Sequence, residues 1–234
     1  AVPVFSLLRW SVIGASEADL GEVLRALANS LGFAVAGGVV TSAVALALAV
    51  VSIRYRTKFG ALLARATWVT HSMPGIVVAL SLVFLAANLL PAIYQSSFLV
   101  ILAYLALFLP NALAALSTPL SQSPLALDEI SASLGLSRFE TLRKVVIPIA
   151  GPGILAATAL VTLTVLKELP ATLLLRPTGI ETLATRLWSE TSVNAFSAAA
   201  PYALLLVVLA GIPAWLLNRS IRKTVEPNEN LERV

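Results

Sequence analysis

Two ionisable residues, Lys167 and Glu168, lie together at the end of a long apolar segment, shortly before Pro170. Ionisable residues inside an apolar span are costly and mark functional sites, and a proline frees backbone groups that then need protein or water partners. Glu168 is only a weak candidate metal ligand, because a single carboxylate does not make a metal site. Two interpretations stay open: these residues belong to a translocation path or gate, or Lys167 reaches the membrane interface while Glu168 pairs with it or with Arg176.

A second group of polar and helix-breaking residues is formed by His71, Met73, Pro74 and Gly75. The Pro-Gly pair predicts a break in a helix and is a candidate hinge. His71 is the one histidine of the sequence, and we interpret it as a satisfied polar residue and not as a ligand. Thiolate metal sites are excluded because the chain has no cysteine. We find no catalytic triad, phosphate-binding glycine loop or zinc motif, so the sequence does not indicate an enzyme.

Composition and charge distribution indicate an integral membrane protein. The 234 residues are 58% hydrophobic and 12% charged, with a mean hydropathy of +0.90. No charged residue occurs between Arg65 and Asp128, a length that accommodates two spans of about 20 residues. The net charge of +4 fits basic cytoplasmic loops. Nucleic-acid binding is not indicated, because no basic run is interleaved with aromatic residues.

The apolar segments predict an all-α, polytopic helix bundle that crosses the bilayer five times. Residues 1–13 would form the end of a truncated sixth span, and residues 14–30 an outer interfacial helix over Ser16–Ser30. The first span is rich in small residues and should pack inside the bundle, whereas the third, richer in Leu, Ile and Phe, should face lipid more. The five full spans are Leu31–Ile53, Ser72–Leu90, Phe98–Leu120, Ile149–Leu166 and Ala198–Leu217.

The distribution of basic residues predicts the orientation of the bundle. Eleven of the sixteen Lys and Arg residues fall in alternate loops and in the tail 219–234. Because cytoplasmic loops carry the excess of basic residues, these segments and the C-terminus are predicted to lie in the cytoplasm. We interpret residues 1–234 as one transmembrane domain.

The cytoplasmic loop at residues 121–148 is predicted to be structured. Ser123-Pro124 is a favourable helix start, and Gly135 is suited to the left-handed residue that ends a helix, so a short helix is expected over Leu125–Leu134. Ser137 and Glu140 predict a capping box for a second helix. That helix should end at Ile147, where Pro148 opens the next span.

This loop resembles the cytoplasmic signature of ABC importer permeases, E-A-A-x3-G-x9-I-x-L-P. Glu129-Ile130-Ser131 precedes Gly135 at the family's distance, and Val145-Val146-Ile147-Pro148 ends the motif in register. The sequence departs from the pattern at Ile130, Ser131, Val145 and Ile147. The resemblance implies the type I importer permease fold and a coupling helix seated in a groove of a cytoplasmic ATPase subunit. The residues that it assigns to coupling are Asp128, Glu129, Ser131, Gly135, Leu136 and Pro148.

The segment Lys167–Trp188 resembles the second half of ferric-iron importer permeases. Ferric iron is a hard cation that would favour an oxygen ligand such as Glu168. The resemblance implies a second permease half, on the same chain or as a separate one, in a prokaryotic inner membrane. It also implies an extracytoplasmic solute-binding protein, with Ser16–Ser30 and Ile180–Asn194 as candidate contacts. ATP and Mg would be bound by the ATPase subunit, so this chain would bind no cofactor.

Three alternatives stay open. The same architecture could import thiamine, polyamine, sulfate or phosphonate. In another class, an ion-driven secondary transporter would place carboxylates or broken helices near the midplane, although the spans before Glu168 contain no acidic residue. A scaffold that transports nothing is a third interpretation.

Overall fold

The computed structural model describes Phe5, Leu7, Arg9, Trp10, residues 19–124 and residues 126–225, with side chains described as far as residue 211. All regular elements in this part of the chain are helical. The contacts divide the chain into two compact units, Ala1–Ser30 with Glu181–Val234, and Leu31–Ile180. Most of the predicted sixth span at residues 1–13 and the end of the tail, residues 226–234, lie outside the described residues.

The described α-helices follow one another with short connections. They are α1 (Leu20–Ala49), α2 (Lys58–His71), α3 (Gly75–Leu89), α4 (Ser97–Gln122), α5 (Ala126–Ser133), α6 (Arg138–Thr141), α7 (Ile147–Leu166), α8 (Pro170–Leu175), α9 (Leu183–Ser192) and α10 (Phe196–Val225). Two π-helical turns occur, Val50–Arg54 directly after α1 and Leu142–Val146 between α6 and α7.

Three helical stretches of the described chain are long and apolar enough to cross a bilayer: Leu20–Arg54, Ser97–Gln122 and Arg138–Leu166. The pair Lys58–His71 and Gly75–Leu89 counts as a fourth if the bent pair is one span, and Phe196–Gly211 is a shorter apolar helix. A multi-pass helical membrane protein is therefore confirmed, whereas the number of five spans stays a prediction.

The first predicted span differs at its outer end. Instead of a separate interfacial helix, α1 begins at Leu20 and continues without a break to Ala49. Asp19 starts it, because its carboxylate accepts a hydrogen bond from the Gly21 amide at 2.8 Å. Ser16, the first residue of the predicted interfacial helix, lies outside the described residues. No glycine or proline interrupts residues 22–31, which is why the helix continues into the span.

The second predicted span begins at a sharp bend. The segment before it, predicted as a loop because of its basic residues, forms α2, and the axes of α2 and α3 meet at 105°. Thr57 caps α2 by accepting a hydrogen bond from the Gly60 amide at 3.0 Å. The predicted break at Pro74-Gly75 is therefore confirmed, since Pro74 precedes the first turn of α3.

Close helix contacts hold the Leu31–Ile180 unit together. A Cβ atom on Gly38 of α1 would lie 2.0 Å from Thr162 Oγ1 of α7, and one on Gly37 would lie 2.7 Å from Cδ2 of Tyr104 in α4. The packing of the first span inside the bundle is thus confirmed. Half of the third span's apolar window is buried within this chain, against 44% for the first, because large side chains of α4 fill the centre of this unit. That the third span faces lipid more stays a prediction.

The other unit has a small core of its own. Val23, Ala26, Leu183 and Tyr202 are buried together, and Arg186 forms a 2.8 Å ion pair with Glu22. Two further hydrogen bonds join the start of α1 to the segment before α9: Asn29 Nδ2 donates to the Glu181 carbonyl at 2.9 Å, and the Leu183 amide donates to Ser30 Oγ at 2.7 Å.

Candidate functional site

The short helix α5 ends in the manner predicted from Gly135. The Leu136 amide donates to the Ser131 carbonyl and the Gly135 amide to the Ala132 carbonyl, both at 3.0 Å, which is the Schellman arrangement. Gly135 has φ +79°, a conformation that costs residues with a Cβ about 1–2 kcal/mol. Ser131 is buried, so it belongs to the packed side of α5. Glycine at 135 therefore fixes the direction in which the chain leaves α5.

The start of α5 differs from the prediction. Ser123 ends α4 in an extended conformation, and its buried hydroxyl has no hydrogen-bond partner in the described part of the chain. It therefore does not cap α5 with its side chain. Leu125, the predicted first residue of the helix, lies outside the described residues.

The second loop helix begins with the predicted capping box. The Glu140 amide donates to Ser137 Oγ at 3.3 Å, and the Ser137 amide donates to Glu140 Oε2 at 3.0 Å. Lys144 adds an ion pair to Glu140 at 3.0 Å. The bond from the Ser137 amide, followed by Lys144, lowers the pKa of the Glu140 carboxyl to about 2. This cap is therefore fully ionised at neutral pH.

The sequence had predicted that the second loop helix ends at Ile147 and that Pro148 opens the next span. In the structure Pro148 does not separate the two. Helix α6, the π turn Leu142–Val146 and α7 form one continuous stretch, Arg138–Leu166. A proline within an α-helix removes one backbone bond and its ring clashes with the carbonyl four residues earlier. The wider π turn directly before Pro148 accommodates that change of spacing.

Arg54 connects α5 to the end of the first span. It lies in the π turn after α1, and its Nη2 and Nε atoms donate to the two carboxylate oxygens of Asp128 at 2.8 and 2.9 Å. Its Nη1 atom also donates to the Ser123 carbonyl at 2.8 Å, and Nη2 to the Pro124 carbonyl at 3.3 Å. The Arg54 side chain is 2% exposed and that of Asp128 35%. We call this set of four bonds the Arg54 clamp.

A polar cavity of about 330 Å³ lies beside the clamp, and Arg54, Asp128 and Leu136 line it. On its wall the Arg138 guanidinium lies over the Tyr55 ring, 5.6 Å from the ring centre, and the Tyr55 hydroxyl donates to the Arg138 carbonyl at 3.4 Å. Tyr55 follows Arg54 directly in the sequence. The end of the first span therefore contacts both helices of the loop.

The opposite side of this loop is apolar and open. Ile130 is 55% exposed, Leu134 74% and Phe139 70%, and Glu129 is exposed beside them. Pro148 is exposed as well. Asp128 thus lies on the clamped side of α5 and Glu129 on the open side, so the two neighbouring acids have different surroundings.

A second candidate region contains Glu168 at the break between α7 and α8. Its Oε1 atom accepts from the Ala171 amide at 3.0 Å, and Oε2 accepts from the Thr172 amide at 3.0 Å and from the Thr172 hydroxyl at 2.9 Å. The Thr172 hydroxyl also lies 2.6 Å from the buried Tyr104 hydroxyl. Lys167 is exposed, and no described hydrogen bond or ion pair joins it to Glu168. The described bonds of Glu168 thus run to the start of α8, and its pairing with Lys167 or Arg176 stays a prediction.

The two predicted helix breaks meet at one cavity. Gly75 and Pro170 both line a space of about 260 Å³, together with His71, Asn111 and Glu168. A Cβ atom on Gly75 would lie 3.6 Å from Glu168 Oε1. Among the described residues, no three His, Cys, Asp or Glu side chains are grouped so as to hold a metal ion.

Sequence reasoning missed Arg54, Tyr104 and Thr172. Arg54 was counted only as one of several basic loop residues, and its partner Asp128 is 74 positions away. Thr172 had a weak local signal, because it lies four residues after Glu168 and could cap with it. Tyr104 had none, since its partner lies in another helix.

The described chain is an all-helical, multi-pass bundle, and comparisons with known proteins identify it as a transport permease. Residues 40–225 match the family described as "Binding-protein-dependent transport system inner membrane component". The chain belongs to this family, the permeases of ABC importers.

A curated relative and a solved structure add detail. The Fe(3+)-transport system permease protein FbpB 2 of Haemophilus influenzae is 38% identical over 221 residues, which are 93% of this chain and 44% of the relative. The chain thus spans less than half of that relative's length. The fold also matches a chain of the inward-facing MetNI methionine ABC transporter with a TM-score of 0.66 and 19% identity, covering 87% of this chain and 96% of the other. That identity supports the fold alone.

Proposed function

We propose that this chain forms one half of the membrane path of an ATP-driven importer and that α5 couples it to a cytoplasmic ATPase subunit. The observation that carries the proposal is the Arg54 clamp together with the Schellman end at Gly135. A helix that transmits force must be held by the bundle and must present a free face. The clamp supplies the first property and exposed Ile130, Leu134 and Phe139 the second.

Coupling is tested with Gly135→Pro and with deletion of Leu125–Leu134. Proline fixes φ near −65°, which is incompatible with the +79° at this position. We expect either change to abolish capture of the ATPase subunit and stimulated ATP hydrolysis. Gly151→Ala is the control, because a Cβ there meets nothing within 4 Å. Full transport by the Gly135→Pro variant would refute our proposal that α5 couples transport to the ATPase subunit.

We further propose Fe(III) as the cargo, supported by the 38% identity with an iron permease over 93% of this chain. Uptake of labelled iron by a deletion strain, with and without this chain, tests the proposal. Unchanged uptake would refute iron and leave thiamine, polyamine, sulfate or phosphonate for the same assay. Transport by reconstituted protein on an ion gradient without any ATPase would instead favour a secondary transporter.

The remaining partners follow from this proposal. A second permease half would complete the path, fused to this chain or separate, and ATP with Mg would be held by the ATPase subunit. An extracytoplasmic binding protein would contact the outer segments Ser16–Ser30 and Ile180–Asn194, whose described parts pack together through the Arg186–Glu22 ion pair. We place the protein in a prokaryotic inner membrane with its C-terminus in the cytoplasm, as the loop charges indicate. Lys167, Glu168 and Pro170 would line the path or form a gate, with Pro74-Gly75 as a hinge.

A further inference from the structure

We propose that the cavity between the two helix breaks is a transit site for a hard metal cation, with Glu168 Oε1 as its oxygen ligand and His71 and Asn111 beside it. This inference rests on the proposed function, which names the cation as Fe(III). The cavity of about 260 Å³ is large enough for a partly hydrated ion. Glu168 is the one carboxylate among the described residues that line it.

The cavity lies beside the middle of α4. Its lining includes Asn111 and Leu107 of α4, and Asn111 is the fifteenth of the 26 residues of Ser97–Gln122. At 1.5 Å per residue, Asn111 lies about 21 Å from the start of α4 and about 17 Å from its end. Because α4 is long enough to cross a bilayer, we infer that the Glu168 carboxylate opens into a cavity near mid-depth. Irregular backbone at this depth is tolerated only where it is buried in protein or lines a water-filled space.

The cavity mouth is open on the described chain. His71 is exposed, and Glu168 and Asn111 are half-buried. A carboxylate, an imidazole and an amide that faced lipid at this depth would be unfavourable by several kcal/mol in total. We therefore infer that the mouth faces the water-filled path and not the hydrocarbon.

The carboxylate has spare capacity for a ligand. A carboxylate offers about four acceptor positions. Among the described residues, Glu168 Oε2 accepts two hydrogen bonds, whereas Oε1 accepts only that of the Ala171 amide. Gly75 leaves the space beside Oε1 open, since a Cβ there would lie 3.6 Å from this atom. The bonds to the start of α8 hold the carboxylate in place, so that Oε1 points to the cavity without reorganisation. Few ligands suit a transit site, because the ion must also leave it.

Gly75→Ala and His71→Ala test this inference. The methyl group of Gly75→Ala would fill the space beside Oε1 at ordinary contact distance and leave the bonds of Glu168 to α8 intact. Gly151→Ala is the matched control, because its methyl group meets nothing within 4 Å. Each variant is reconstituted in liposomes as the complete transporter, and iron-55 uptake and ATP hydrolysis are measured together with the melting temperature.

We expect Gly75→Ala and His71→Ala to assemble and melt like the wild type, and Gly151→Ala to match the wild type in iron uptake and ATP hydrolysis as well. Iron taken up per ATP hydrolysed should fall by about tenfold or more, the scale on which perturbed metal sites lose affinity. A merely structural role would instead lower the melting temperature or ATP hydrolysis together with uptake, and that result would overturn the inference. Wild-type uptake by both variants would overturn it too, with the proposed function intact. Failure of the wild type to take up iron would overturn the iron assignment and the transit site together.

Discussion

Replacing Asp128 with alanine should release α5 from the end of the first span. The change removes two charge-assisted hydrogen bonds, at 2.8 and 2.9 Å, from a guanidinium that is 2% exposed. Breaking a fully buried ion pair costs about 3–5 kcal/mol. Asp128 is 35% exposed, and Arg54 retains the carbonyls of Ser123 and Pro124. We therefore expect a cost of about 2 kcal/mol for the clamped state, close to one charged hydrogen bond.

Amide hydrogen exchange measures this local free energy directly. A loss of about 2 kcal/mol corresponds to a roughly 30-fold lower protection of the amides in Ala126–Ser133, if they exchange by local opening. Asp128→Asn keeps the shape of the side chain and one acceptor oxygen, so we expect the protection of the same amides to fall by about tenfold. Arg54→Lys keeps the charge but loses the planar fork, and should behave similarly.

Glu129→Ala is the matched control for this experiment. Glu129 is the next residue on the same helix and is exposed, so its removal costs only the favourable effect of an acid near a helix N-terminus, about 0.3–1 kcal/mol. We expect less than a fivefold change in the same amides. Equal loss of protection in Asp128→Ala and Glu129→Ala would refute the reasoning, because it would mean that Arg54 contributes nothing specific. In the assembled transporter, Asp128→Ala should also lower stimulated ATP hydrolysis.

Three further predictions concern the packing and the loop cap. Gly38→Ala should destabilise the protein by about 1–3 kcal/mol through overpacking. Gly32→Ala lies in the same helix at a position where a Cβ meets nothing within 4 Å, so it should stabilise the protein by up to about 1 kcal/mol. The melting temperatures of the two variants test this difference. Thr172→Val should lower the free energy of unfolding by about 1–2 kcal/mol, because it leaves the buried Tyr104 hydroxyl and the Glu168 carboxylate short of a partner. Thr158→Val should lower it by less, because the described bond of the Thr158 hydroxyl runs to a carbonyl of its own helix. The Glu140 carboxyl should titrate near pH 2 by carbon-13 NMR. Because its pKa is lowered in the folded state, the cap's contribution to folding stability is complete above about pH 4.5 and is lost as the pH falls through 2. A titration midpoint at pH 4.5 would contradict the capping box.

Local signals made the loop at residues 121–148 predictable. A glycine before a left-handed turn and the Ser137–Glu140 pair each act within a few residues, so their spacing can be read from the sequence. The Arg54 clamp could not be found in this way, because Arg54 and Asp128 are 74 positions apart and several other basic residues lie equally close to a span end. The helix Lys58–His71 was missed for a different reason. Its basic residues indicated a loop, whereas long basic side chains can also extend from a helix to the membrane interface.

The middle of the span shows the same contrast between local and long-range information. The Pro74-Gly75 break was predicted from two residues, and Pro170 marked the second break. The packing of α3 against α8 decides which polar groups the two breaks bring together. No signal in a single sequence indicates this packing. His71 was therefore interpreted as an ordinary polar residue, although it lines the same cavity as Glu168.

The two π turns explain how the loop is attached to the bundle. Each adds about one residue to a helical turn and so rotates the next segment of the chain by roughly 100° relative to an unbroken α-helix. After α1, the turn Val50–Arg54 directs the Arg54 side chain to the carboxylate of Asp128 and the carbonyls that end α4. Before α7, the turn Leu142–Val146 lets the chain pass Pro148 without a break. Both irregular turns thus lie where a membrane helix joins the loop. The loop is attached to α7 by continuous helical backbone and to the end of α1 by the four hydrogen bonds of the Arg54 clamp.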